Sequence, residues 1–188
     1  MLFSSLFSLR LWQWLLPVCV VLLGSGCASV EPRKASQPTF TTVYVVRHAE
    51  KDPAPSLLDP SLTAAGKQRA QTLVDTLRKA PITAIFSTAT TRTRSTAEPL
   101  ATARQLTVQP YDARQLRALA ARIRREYKGQ AVLVVGHSNT ILETVEALGA
   151  PRPAPAVQDS EYDYLLEVRL PQDSTQAATA VARRYGVR

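Results

Sequence analysis

Beyond Cys27 the 188-residue chain contains no cysteine; its two, Cys19 and Cys27, both lie near the N-terminus. A disulfide framework and a thiolate metal site are therefore excluded from the body of the chain. Histidine is as scarce, with two in all, His48 and His137. A metal site asks for three or four convergent ligands, so none is expected here, and no cofactor motif suggests a bound group either. Aromatic residues make up 6% of the sequence, and no zinc-finger or RNA-binding signature occurs. Nucleic acid is thus not an expected partner, despite a net charge of +8. That charge suits phosphorylated substrates or acidic lipid headgroups, or it only solvates helix faces. What is present is ordinary for one globular domain: 45% hydrophobic and 20% charged residues.

Arg10 is the only charge before Glu31, and Leu11 to Leu23 form an apolar stretch broken by Gln13 and Pro17. This reads as the core of a signal peptide, too short for a comfortable membrane span. It ends in Leu23-Gly24-Ser25-Gly26-Cys27, which resembles the bacterial lipobox, in which the Cys is acylated and becomes the mature N-terminus. The lipobox has Leu three places before the Cys, where Gly24 stands here. Ordinary cleavage after Ala28 is the alternative. Ala28 after the Cys, with no Asp, resembles the outer-membrane class of Gram-negative lipoproteins. The resemblance implies a periplasm-facing protein held at the membrane through a lipid on Cys27. The expected organisation is a signal segment over 1–27, a tether over 28–39 and one domain over 40–188.

In that domain, strand and helix patterns alternate. Val43 to Val46 is an apolar, β-branched run typical of a buried strand, and Ala131 to Val135 is another. Strands are also expected over Ile82–Ser87, within Gln105–Tyr111, over Tyr162–Leu170 and over Ala177–Tyr185. A helix opens after Thr63 as N-cap, with Leu62, Ala65, Leu73, Leu77 and Ala80 on its apolar face. Others are expected over Thr91–Arg104, through Leu116, Leu119, Ala120, Ile123 and Tyr127, and from Ile141 to Leu148. Ala150 to Val157, with three prolines, is a loop. The pattern predicts an α/β fold with a mostly parallel central sheet flanked by helices.

Each of the two strongest strand patterns runs directly into a histidine: Arg47-His48 after the first, Gly136-His137 after the other. In open α/β sheets the chemistry collects beyond the carboxyl ends of the strands. Ile82–Ser87 ends likewise in a Thr-rich turn that puts Arg92 in the first turn of a helix, where backbone N–H groups favour an anion. Two guanidiniums give bidentate grips on phosphate oxygens. A neutral imidazole is a competent nucleophile when a hydrogen bond to its other nitrogen fixes the tautomer.

Val45-Val46-Arg47-His48-Ala49-Glu50, Leu62-Thr63 with Gly66, Ser87 with Arg92 and Thr96-Ala97, and Val135-Gly136-His137-Ser138-Asn139-Thr140 together resemble the histidine phosphatase superfamily, whose fold is phosphoglycerate mutase-like. The four blocks occur in the family's order over about Thr41 to Leu148. The resemblance implies a three-layer sandwich and a metal-independent phosphatase in which His48 is transiently phosphorylated. It implies Arg47 and Arg92 as phosphate clamps, His137 as a contact to the phosphoryl group, and Asn139 as a further contact. Arg94 falls out of register and is expected on the surface or in support. Ala49 replaces the family's Gly, and Thr88-Ala89 stand where it has Pro-Leu. A leaving oxygen needs a proton, and Asp112 is the acid nearest the family's position, with Glu50 and Asp52 as the other candidates.

Substrates that fit are phosphorylated small molecules, among them sugar phosphates, or a phosphoprotein carrying phosphohistidine. A mutase is less expected, because no long insertion between Arg92 and His137 supplies a lid. The rival from another class is an inactive envelope lipoprotein that binds phosphorylated ligands. A purely structural lipoprotein leaves the paired Arg and His residues unexplained.

Overall fold

The computed structural model describes residues 40–54, 56 and 58–187. The signal segment, Cys27 and the tether lie outside the described residues. Among those described, no helix is long and apolar enough to cross a membrane.

Six strands form one sheet: β1 (Phe40–Arg47), β2 (Ile82–Ser87), β3 (Val108–Pro110), β4 (Ala131–Gly136), β5 (Tyr164–Pro171) and β6 (Thr179–Arg184). Their order is β3-β2-β4-β1-β5-β6. The pairs β3–β2, β2–β4 and β4–β1 are parallel, while β5 and β6 close the sheet antiparallel. Four helices connect and cover it: α1 (Ala64–Thr76), α2 (Thr91–Arg104), α3 (Leu116–Glu126) and α4 (Ile141–Ala147).

Successive side chains of a strand point to opposite faces, and both faces here carry a core. Val43 and Val45 of β1, with Val132 and Val134 of β4, pack with Leu119, Ile123, Ile141 and Val145 of α3 and α4. Val46, Leu133 and Val135 pack on the other side with Leu73 of α1 and Leu100 of α2. That two-sided burial is why β1 and β4 read as unbroken apolar runs rather than alternating ones. The result is a three-layer α/β sandwich.

Helix α1 starts as expected, with the Thr63 hydroxyl accepting from Gly66 N–H at 3.1 Å. Its inward face differs from the expected one. Gly66, Ala70, Leu73 and Leu77 are buried, whereas Ala65 is exposed. Gly66 faces the chain just after His48: a Cβ there would sit 2.2 Å from the Glu50 carbonyl oxygen. The helix approaches that closely because the site residue has no side chain.

Candidate active site

The parallel register of β1 and β4 pairs Arg47 with Gly136, so the two histidines that follow are neighbours. His48 N–H donates to the Gly136 carbonyl at 2.9 Å, and the imidazole centroids are 5.5 Å apart. Strand β2 lies on the other side of β4, with Ser87 opposite Val135, and so delivers Thr88 to Arg92 beside His137.

His48 is 3% exposed. Its Nδ1 lies 2.8 Å from the Ala49 carbonyl oxygen. A carbonyl can only accept, so Nδ1 carries the proton and Nε2 keeps its lone pair. Burial lowers the His48 pKa to about 3; the Ala49 bond opposes this, while Arg47, Arg92 and His137 add to it. The imidazole is therefore neutral. Ala49 is itself held, its N–H donating to Thr96 Oγ1 at 2.9 Å, and Thr96 in turn donates to the Arg92 carbonyl at 2.8 Å. This short chain of bonds ties the His48 turn to the helix that carries Arg92.

Arg47 is buried, and one of its amino groups is already committed. Nη1 lies 3.0 Å from each of the carbonyls of Gln158, Asp159 and Glu161, and the guanidinium stacks 4.1 Å above the Tyr162 ring. Among the described residues, its buried Nε has no hydrogen-bond partner, and neither has the buried Nε of Arg92. Arg92 Nη1 makes a long contact of 3.5 Å with Asp59. Burial lowers the Arg47 pKa and nearby Arg92 contributes, against Tyr162, Asp159 and Glu50. Two orphaned N–H donors on mutually repelling cations, beside a neutral imidazole, make a seat for an anion with several acceptor oxygens.

His137 is half-buried, and its pKa is lowered first by burial, then by Arg92 and Arg47. Its Nε2 lies 2.9 Å from Thr88 Oγ1.

The candidate acids stand differently. Asp112 takes two bonds of 3.1 Å from the Arg114 guanidinium and one from its N–H, and Arg114 holds its carboxyl below the usual carboxylate range. A carboxylate paired with a guanidinium gives up a proton less readily, and Asp112 is paired with Arg114 in the free protein. Glu50 is fixed by Arg69 at 2.7 to 3.0 Å and is lowered too: burial raises its pKa, but the Arg69 bonds outweigh this. Asp52 accepts the Ala54 N–H at 2.9 Å. Asn139 is exposed on the turn before α4, and Arg94 is exposed on α2. The charged groups acting on His137 are Arg92 and Arg47, with no carboxylate among them.

Four residues take up places at the site that the sequence did not assign them. Asp59 accepts the Thr91 N–H at 3.0 Å and its hydroxyl at 2.7 Å, so a carboxylate already occupies the first N–H of α2, which was expected to be open to an anion. Tyr162, 6.0 Å from His48 and under Arg47, arrives from the far end of the chain. Thr88 and Thr96 are hydroxyls whose role depends on strands far away in sequence. Among the described residues, no three His, Cys, Asp or Glu side chains converge to hold a metal ion.

Residues 43–117 match the model of the histidine phosphatase superfamily, branch 1. The chain has the histidine phosphatase fold. No curated protein matches it in sequence. Among solved structures it is similar to the protein histidine phosphatase SixA complexed with tungstate, at 16% identity and TM-score 0.59, covering 77% of this chain and 95% of that one. It is also similar to a mycobacterial glucosyl-3-phosphoglycerate phosphatase, at 15% identity and TM-score 0.56, over 78% of this chain and 99% of that one. YhfR of Bacillus stearothermophilus follows at 18% identity and TM-score 0.51, over 77% and 95%. At these identities the likeness is one of fold. The parallel pairing of β1 with β4 accounts for the two histidines meeting at one sheet edge.

Proposed function

We propose that the chain is a metal-independent phosphatase acting through a phosphohistidine on His48. The observation that carries this is the His48 tautomer: Nδ1–H is bound to Ala49, so the Nε2 lone pair is free beside two arginines with unmet donors. In the first step that lone pair attacks phosphorus, and the bond to the leaving atom breaks with its electron pair leaving too. In the second, water attacks phosphorus, the N–P bond returns its pair to Nε2, and inorganic phosphate departs. Arg47 and Arg92 neutralise the phosphoryl oxygens throughout, and His137 donates to them once protonated.

The engagement of Asp112 and Glu50 by arginines bears on the substrate. With these two carboxyls held as carboxylates, leaving atoms that need little proton help are favoured. The imidazole nitrogen of a protein phosphohistidine is one such, and an aryl phosphate is another. Ordinary alkyl phosphomonoesters would be slower. The SixA structure is that of a protein histidine phosphatase, and this chain shares its fold.

Because two guanidiniums supply the charge that a divalent ion would otherwise supply, hydrolysis of an aryl phosphate is expected to persist in chelator. Activity that disappears with chelator and returns with a divalent cation would overturn the reading. Binding of phosphorylated ligands with no turnover of any would point instead to the inactive lipoprotein. The reading includes the location: Cys27 carries lipid and holds the domain at the outer membrane, facing the periplasm.

A further inference from the structure

Behind His137 lies a hydroxyl network that the phosphatase reading does not use. Thr88 Oγ1 is 2.9 Å from His137 Nε2 and 2.9 Å from Thr93 Oγ1. Thr93 is fully buried, and its hydroxyl lies 2.9 Å from the Thr90 carbonyl, 3.0 Å from the Thr88 carbonyl and 2.9 Å from the Thr90 hydroxyl.

A hydroxyl has one proton and two lone pairs, and a carbonyl can only accept. The Thr93 proton therefore goes to one of the two carbonyls, and its lone pairs accept from Thr88 and Thr90. Thr88, donating to Thr93, is left to accept from His137. The reverse wiring, with Thr88 donating to Nε2, would set two hydroxyl oxygens lone pair to lone pair at 2.9 Å. Avoiding that would turn the Thr93 proton away from both carbonyls; these keep the Ser87 hydroxyl and the Arg94 N–H as donors, but the buried network would make one hydrogen bond fewer.

We propose that Thr88 is the positioning residue of His137: anchored by Thr93, it holds the imidazole as the Nε2–H tautomer, so that Nδ1 takes up the second proton when a phosphoryl group enters. The tautomer stands on the hydroxyl geometry alone; its use in catalysis rests on the phosphatase reading. The groups facing His137 are His48 and Arg47 at the end of β1 and Arg92 on α2. Both guanidiniums and burial oppose a second proton in the free protein, and a bound dianion reverses their sum. Nε2–H donates to Thr88 in the neutral and in the cationic ring alike, so the network need not rearrange between them. The two histidines are thus held in opposite tautomers, His48 with its proton on Nδ1 and His137 on Nε2.

With two histidines in the chain, nitrogen NMR of the full-length protein labelled at histidine reads both tautomers, with His48→Ala assigning the signals. At neutral pH the wild type is expected to show one Nδ1–H and one Nε2–H ring. Thr88→Val is expected to convert His137 to a mixture or to Nδ1–H and to lower kcat on an aryl phosphate about tenfold or more with KM nearly unchanged. Its pH–rate profile should shift as well. Thr88→Ser, which keeps the hydroxyl, should restore tautomer, rate and profile. A wild-type spectrum with both rings as Nδ1–H overturns the proposal, even should Thr88→Val fail to fold. So does a folded Thr88→Val with the wild-type tautomer. The expected tautomers in a protein that hydrolyses no phosphorylated compound would uphold the wiring and remove the phosphatase reading.

Discussion

At the scale of the residue, His48 is a base that its surroundings keep from taking a proton. Burial sets its pKa at about 3 against an ordinary 6.5, in spite of the opposing Ala49 bond. Between those two values the unfolded chain binds a proton that the folded chain refuses, so stability rises with pH in that window and is lost as pH falls. His137, also lowered, acts in the same direction. Each such histidine contributes a slope of at most about 1.4 kcal/mol per pH unit. Denaturant titrations at about pH 4.5 and pH 7 are expected to show a smaller difference for His48→Asn than for the wild type. Equal differences would mean that His48 is not the buried neutral imidazole described. The same surroundings suit the proposed nucleophile: a lone pair that stays free at neutral pH, next to the guanidiniums of Arg47 and Arg92.

At the scale of the element, the parallel ends of β1, β2 and β4 carry the site, and α1 presses the turn after β1 into place. Gly66→Ala would push a methyl group against the Glu50 carbonyl. A destabilisation of roughly 1–3 kcal/mol is expected, as for other overpacked contacts, measurable by denaturant melting. A neutral outcome would show that α1 can move away from the site without loss. Much at this scale was legible in the sequence. β2 and α2 have the residue ranges expected of them, because a β-branched run bounded by Pro81 and a Thr-rich turn leaves little choice. Thr63 caps α1 as its hydroxyl and place before the apolar face suggested. The wrong face assigned to Ala65 comes from counting alanine as apolar, when Gly66 was the residue at the contact. Asp59, Tyr162 and Thr88 were not legible, since two residues of distant loops and a hydroxyl acquire meaning only when the sheet brings them together. Asp112 shows the same limit from the other side: its position suggests an acid, and its pairing with Arg114, two residues on, could not be read from the sequence.

At the scale of the whole molecule, one domain gathers its two histidines and two of its many arginines at a single edge, and the N-terminal segment is proposed to give that domain an address. Cys27→Ala is expected to release the protein from the membrane fraction, which fractionation and intact-mass analysis would show. A wild-type N-terminus at Ser29 without lipid would refute the anchor and leave the domain's chemistry untouched. That chemistry depends on parts from three strands acting together. Loss of the nucleophile removes the pathway, while Arg92→Ala should slow it on the order of a hundredfold through lost charge stabilisation. The most direct test is rapid quenching of the enzyme during turnover, followed by mass spectrometry of the peptide containing His48. The account predicts an acid-labile phosphate on His48 in the wild type and near-complete loss of turnover in His48→Ala. Turnover by His48→Ala at a rate comparable to the wild type would contradict it.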